Sequence, residues 1–269
     1  MSKTIPDFTV NFKYEASSLF MMKIGIIGCG YIGSMIAENF KKDVLACYDR
    51  NTERMDKLSH TVNRDIKCSF EEILKMDLDL VVESASIDAV RNLVPDLLKS
   101  GKDVMIMSVG ALADHELFST LKKIASENEC RIYIPHGAVG GLDAVRSASL
   151  QGIEKIVLTT RKNPEALGIS VLKEKTVFEG YASEAIKKFP KNINVSVALS
   201  LASEKEVYVK IIADPSIETN IHEIYVKGAF GKMNLIFENL PSENKRTSIL
   251  AALSAINLIR TLKSEIVIY

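Results

Sequence analysis

Between residues 23 and 134, short apolar runs alternate with amphipathic stretches. The runs at 23–27, 44–48, 80–83, 104–107 and 131–134 are short, β-branched and bounded by Gly, Ser or Asp, which reads as strands. Between them the apolar spacing becomes helical. Ser69-Phe70-Glu71-Glu72 has capping-box spacing for a helix through Met76. Residues 87–100 carry Val90, Leu93, Val94 and Leu97 on one stripe, Gly101 supplies a stop, and Asp114 caps the helix that follows. Such alternation with short connections predicts a parallel sheet covered on both faces.

Beyond Ile134 the pattern changes. The segment Gly137-Ala138-Val139-Gly140-Gly141-Leu142-Asp143 ends the regular alternation. Runs at 153–160, 207–213, 221–227 and 233–237 come closer to an in-out alternation, as expected of an antiparallel sheet with one wet face. Two apolar helices accompany them, at 194–203 and 246–262. The second lines up Ile249, Leu253, Ile256 and Ile259, so it buries one face and can pack back on the first unit.

The glycine turn Gly28-Cys29-Gly30-Tyr31-Ile32-Gly33 sits between the first strand and a helix opening at Tyr31. That context turns a weak motif into a dinucleotide-binding fingerprint. Gly28 permits the tight turn, Gly30 lets backbone approach a pyrophosphate, and Gly33 lets helix and strand pack closely. The helix start at Tyr31 and Ile32 offers N–H donors and a positive dipole end to phosphate. Asp49 ends the second strand, sixteen residues past Gly33, where a carboxylate accepts from ribose hydroxyls. Arg50 follows it and can receive a 2′-phosphate, so both NAD and NADP are open. Ser84 and Ala85 follow the third strand, where small side chains admit a cofactor or simply start a helix. The expected fold is α/β. A Rossmann-type parallel-sheet domain at 22–135 precedes a smaller α+β domain with a mainly antiparallel sheet at 136–269. Residues 1–21 read as a disordered extension of unassigned role.

Composition narrows the partners. Lysine plus arginine equals aspartate plus glutamate, at 34 each, so no strong field draws nucleic acid or anionic lipid. No apolar run reaches the roughly 18 residues of a membrane span, and the N-terminus lacks signal-peptide layout. The four cysteines form no C-x-x-C pair, which argues against a metal site and suits reduced thiols in a cytoplasmic protein.

Hydride chemistry belongs to the nicotinamide, so the second unit must supply a substrate pocket and a proton-handling group. His60 and His115 read as surface residues; His136 ends a strand near the crevice. His222 lies in the apolar run Asn220-Ile221-His222-Glu223-Ile224, where a lone histidine is either structural or catalytic. Lys187-Lys188-Phe189-Pro190-Lys191-Asn192-Ile193-Asn194 clusters cations before a helix. It reads as a solvated face or as an anion-attracting one. Asn192 and Asn194 either cap that helix or donate an amide to cofactor or substrate.

Together these blocks resemble the L-aspartate dehydrogenase family from Met22 onward. The glycine turn contributes, and Gly137–Asp143, Lys188–Val195 and Asn220–Ile224 are more specific. The resemblance implies oxidation of L-aspartate by NAD or NADP to iminosuccinate. The imine hydrolyses to oxaloacetate and ammonia, or feeds quinolinate and NAD synthesis. It makes His222 the catalytic histidine and Ala138 a cofactor contact, and it places a cofactor-contacting asparagine at Asn192 or Asn194, preferably Asn194. It also implies a homodimer. A substrate with two carboxylates needs cation or amide donors, for which Lys191 and Asn192 are candidates. A His222 with a pKa near working pH is expected to take the amine proton or activate water. Two alternatives are a homoserine dehydrogenase-like enzyme and a non-catalytic NADH sensor.

Overall fold

The computed structural model describes residues 21–189, 193–242 and 247–268. The first unit runs β1 (Ile24–Ile27), α1 (Tyr31–Asn39), β2 (Val44–Tyr48), α2 (Thr52–Val62), α3 (Phe70–Lys75), β3 (Leu80–Glu83), α4 (Ile87–Lys99), β4 (Asp103–Ile106), a 3-10 turn (Val109–Ala113), α5 (His115–Glu127) and β5 (Ile132–Tyr133). Its five strands are parallel in the order β2-β1-β3-β4-β5. β2 and β3 therefore flank β1 on opposite sides, and the crevice at the carboxyl ends of β1 and β3 is the topological switch point.

Alternation along these strands feeds two cores. Ile24, Ile26, Leu80, Val82 and Met105 face one layer with Ile36, Phe40 and Leu58. Ile27, Val81, Val104 and Ile106 face the other with Val90, Val94, Leu97 and Leu121. The expected caps are present: Ser69 and Glu72 form the reciprocal capping box of α3, and Asp114 caps α5.

The second unit continues with α6 (Leu142–Ser149), β6 (Ile153–Lys162), α7 (Pro164–Leu167), β7 (Lys175–Tyr181), α8 (Ala182–Lys188), α9 (Asn194–Ser203), β8 (Tyr208–Ala213), β9 (Asn220–Gly228), β10 (Gly231–Asn239) and α10 (Ile249–Leu262). Its sheet has the order β10-β9-β6-β8-β7. All neighbours are antiparallel except β6 and β8, so the sheet is mixed. The apolar runs left α6, β7 and α8 unread. β7 is an edge strand with only Phe178 and Gly180 buried, and α6 is eight residues of mostly small or polar side chains.

Two helices join the units. α9 sends Val197 and Ala198 into the core of the first sheet and Leu199 and Ala202 into that of the second. α10 places Ala255, Ile256 and Ile259 in the layer that holds α1. A buried ion pair fastens its end: Lys263 Nζ donates to Asp43 Oδ1 (2.6 Å), which also accepts from Met22 N (2.9 Å). Removing one member of such a pair leaves an uncompensated charge indoors. Asp43→Ala is expected to cost about 3 kcal/mol. A melting temperature more than about 5 °C lower would register that loss, and an unchanged one would contradict it.

Candidate active site

The glycine turn has the stereochemistry of a ligand cradle. Gly28 has φ +94°, and a Cβ there would lie 2.6 Å from Ala85 N. A Cβ on Gly33 would lie 2.3 Å from Gly28 O. Both glycines are demanded by the fold itself. Around Gly30 a Cβ would meet nothing within 4 Å, and Gly30 is the N-cap of α1 with no side-chain cap hydrogen bond. The helix start at Tyr31 and Ile32 thus presents backbone donors beside open space, which fits a dinucleotide pyrophosphate.

Neighbouring carboxylates brace this cradle. Asp49 accepts from Cys29 N (2.8 Å) and Asn51 N (2.9 Å), so it ties the end of β2 to the turn; Arg50 is exposed beside it. Ser84 donates from Oγ to Gly28 O (2.8 Å). It does not cap α4, a task done by Ser86 accepting from Ala89 N (3.1 Å). Glu83, missed by the sequence reading, is fully buried. Its Oε1 accepts from Ala85 N, Ser86 N and Ser108 Oγ, and its Oε2 from Ser108 N. Burial pushes its carboxyl up, against the pull of these donors. One side chain thereby holds together the loops after β3 and β4.

Past the carboxyl ends of β1 and β4 lies a cavity of about 120 Å³. One wall is Ile32, Ile106, Met107 and Val109 of the first unit. The facing wall is Lys162, Asn220 and His222 of the second sheet, with α9 and the first turn of α10 closing the sides. Pairing explains this wall. Leu158 lies opposite Ile224, and Thr160 opposite His222, on the face that packs against the helices. The face is apolar until it reaches the cavity and polar there. Phe237, across from His222, would touch a Cβ on Gly140, and Asn239 donates to Ala138 O (2.8 Å). These contacts, with His136 Nδ1 on Val139 O (2.6 Å), shape the 137–141 turn and bring Ala138 to the cavity.

His222 is 4% exposed and its Nδ1 lies 3.0 Å from Thr160 Oγ1. Its pKa is pushed down to about 3, first by burial and then by the positive charge of Lys162. The expectation of a histidine titrating near neutral pH is therefore incorrect: the ring sits in a dry wall beside a cation. Burial pushes Lys162 itself down to about 8. Sequence reading ended this strand at Thr160. Extending the inward parity of Ile156, Leu158 and Thr160 by two residues would have found Lys162.

Asn194 lines the cavity but does not cap α9, whose N-cap is Ile193. Its Oδ1 accepts from Gly110 N (2.9 Å), and its Nδ2 lies 3.4 Å from Met107 O. The 3-10 turn competes successfully for the side chain that would otherwise cap the helix. Lys191 and Asn192 lie outside the described residues. His60 and His115 are exposed, away from the cavity.

A glycine turn opening a helix at a parallel-sheet switch point, beside a second sheet with a buried histidine, is the layout of a two-domain nicotinamide-dinucleotide dehydrogenase. Comparison specifies which one. The description "Homoserine dehydrogenase, NAD binding domain" fits residues 28–135, and "Aspartate dehydrogenase, C-terminal" fits residues 143–262. The chain is 46% identical over 255 residues to L-aspartate dehydrogenase of Methanothermobacter thermautotrophicus, covering 92% of this chain and 98% of the relative. It is 44% identical over 263 residues to that of Methanocaldococcus jannaschii, covering 91% and 98%. The crystal structure of aspartate dehydrogenase from Thermotoga maritima superposes with a TM-score of 0.77 at 29% identity, covering 93% of this chain and all of that one. The chain belongs to the aspartate dehydrogenase family.

Gly28→Ala should lose about 1–3 kcal/mol of stability to strain. Gly30→Ala should stay within about 1 kcal/mol of the parent yet bind NADH at least about tenfold more weakly by fluorescence titration. Equal stability of the two variants would refute the distinction. Because the folded-state pKa of His222 lies below its ordinary 6.5, its neutral burial favours folding fully above that value. That contribution is lost as pH falls from about 6.5 to about 3. The stability gap between parent and His222→Asn, followed by urea unfolding, should narrow across that window; a constant gap would contradict it.

Proposed function

We infer that this chain oxidises L-aspartate with NAD or NADP, giving iminosuccinate, the reduced cofactor and a proton. Water then converts the imine to oxaloacetate and ammonia. The observation that carries this reading is the single cavity shared by the carboxyl edge of the dinucleotide-type sheet and the Lys162–Asn220–His222 wall, in a chain of the aspartate dehydrogenase family. A bound nicotinamide dinucleotide supplies the hydride acceptor for the substrate Cα. On the turn that Gly28 and Gly33 permit, Gly30, Tyr31 and Ile32 would hold the pyrophosphate, and Asp49 would accept from the ribose hydroxyls, which favours NAD. Arg50 leaves room for a 2′-phosphate. Ser84, Ala85, Ala138 and Asn194 line the way to the reacting end.

His222 handles the proton. Thr160 occupies Nδ1, which leaves Nε2 as the nitrogen facing the cavity. A neutral imidazole is the form able to accept. Burial is the first cause of its low pKa and the Lys162 charge the second; arriving substrate carboxylates offset the second, so it gains basicity when an amine proton must leave. The imine it helps to form serves quinolinate, and hence NAD, synthesis when captured before hydrolysis.

The second sheet carries substrate binding and dimerisation in this reading. Exposed Ile236 on β10 and Leu240 just beyond it suit a partner copy in a homodimer. Among the described residues no helix is long and apolar enough to cross a membrane; the cytoplasm is the proposed location. The test is steady-state NADH or NADPH formation from L-aspartate, with homoserine and L-glutamate in parallel. His222→Ala should abolish turnover and leave NADH affinity within about twofold. Near-parental turnover in that variant would end the assignment of His222, and homoserine as the preferred substrate would end the functional reading.

A further inference from the structure

Cys29 lies inside the glycine turn and Cys47 on β2, and both are free thiols. Backbone pairing brings them together. Ile26 stands opposite Cys47, Gly28 N donates to Tyr48 O (2.9 Å), and Cys29 N donates to Asp49 Oδ2 (2.8 Å). The turn thus leans over the end of β2, and the two side chains enter one core layer, 4% and 0% exposed. There the thiols face each other. The Cys29 S–H is directed at the Cys47 sulfur, which holds the Cys29 thiol up and the Cys47 thiol down from the ordinary value. The other two thiols are engaged elsewhere: Cys68 Sγ meets Met76 Sδ (3.8 Å), and Cys130 Sγ donates to Asn128 O (3.2 Å).

We propose that a peroxide joins Cys29 and Cys47 in a reversible disulfide, and that this bond switches the dinucleotide cradle off. The second half rests on the reading of the turn as a cofactor site. With hydrogen peroxide as oxidant the chemistry balances. The Cys47 sulfur attacks one peroxide oxygen, the O–O bond breaks, and the Cys47 proton leaves with the departing hydroxide as water. The Cys29 sulfur attacks the resulting sulfenic sulfur, the S–O bond breaks, and the Cys29 proton leaves with that hydroxyl as a second water. Two thiols are oxidised to one disulfide, and one peroxide is reduced to two waters. Cys47 suits the first step because the Cys29 S–H favours its thiolate, and Cys29 is in place to resolve it.

Access comes through the turn. The space around Gly30 is open, so a water-sized oxidant reaches the turn in the cofactor-free protein, and a bound dinucleotide would cover that entrance. Closing the bond must move one partner, because a covalent S–S bond of about 2.05 Å is far shorter than the separation of two thiols in contact. Cys47 is held firmly. Its N donates to Ile66 O (2.7 Å), its O accepts from Cys68 N (3.0 Å), and β1 takes the other edge of its strand. Cys29 is flanked by two glycines, so the turn is what yields. Its displacement carries Gly30 and the first N–H groups of α1 away from the positions a pyrophosphate needs.

The experiment treats the full reduced chain with hydrogen peroxide and reads mass and NADH affinity. The denatured chain should lose two hydrogens in mass, and proteolytic mapping should find the peptides of Cys29 and Cys47 joined. NADH affinity by fluorescence titration should fall at least about tenfold and return with dithiothreitol. NADH present at about ten times its Kd should slow the linkage about tenfold. Cys47→Ala should bind NADH within about twofold of the parent and keep that affinity through peroxide. A link to Cys68 or Cys130, oxygen added at Cys47 without a link, or a link that leaves NADH affinity unchanged would overturn the proposal. So would a Cys47→Ala protein that loses affinity to peroxide as the parent does. Should Cys47→Ala fail to fold, the double variant Cys68→Ser, Cys130→Ser decides, because Cys29 and Cys47 are then the only thiols in the chain. Peroxide must still cost it NADH affinity, reversibly. A parent that forms the link but binds no NADH when reduced would leave the disulfide site standing and remove the cofactor reading, and the switch with it. One that binds NADH and never forms the link would do the reverse.

Discussion

The cavity depends on one helix being required by two hydrophobic cores. α9 is apolar around most of its circumference because Val197 and Ala198 fill space under the first sheet while Leu199 and Ala202 fill it under the second. Neither core can close without it, so the two sheets take their positions from the same short rod. The helix then carries its own first residue to the junction. Asn194 reaches Gly110 N instead of its own helix, and that bond fixes the loop after β4 against the second unit. Close packing transmits such positions with little slack.

Charge is admitted into this interior at few points, each with a definite counterpart. Glu83 is wholly buried and is surrounded by backbone donors and the Ser108 hydroxyl, an arrangement that rigidifies two loops at once. Asp43 answers Lys263. Lys162 and His222 are both driven toward their neutral forms, Lys162 by burial and His222 first by burial and then by the charge of Lys162.

Much of this was legible in the sequence because the first unit is built from strands buried on both sides. Such strands leave short β-branched runs, and the glycine turn marks where the first one ends. The second unit is harder to read. β7 lies at a sheet edge and keeps most side chains in water, so its alternation carries little apolar signal. Lys162 stands in Arg161-Lys162-Asn163-Pro164, which in isolation looks like a solvated strand end. Only the pairing of β6 with β9 and β8 turns it inward. His222 was conspicuous as a lone histidine in an apolar run, but its low pKa comes first from burial in the folded wall and then from Lys162, sixty residues away in the chain. The capping role expected for Asn194 failed for a similar reason. A helix competes for its caps with groups that the sequence places far off, here Gly110.

The return of α10 to the layer of α1 has a consequence for biogenesis. The ribosome delivers β1 to β5 early, but Ala255, Ile256 and Ile259, which complete one face of that sheet, arrive only after every strand of the second sheet. During that interval Ile36, Phe40 and Leu58 belong to an unfinished layer. Nascent chains in such a state expose apolar surface to neighbours and chaperones. Domain-by-domain maturation is therefore denied to this protein: the cofactor half is made first and finished last.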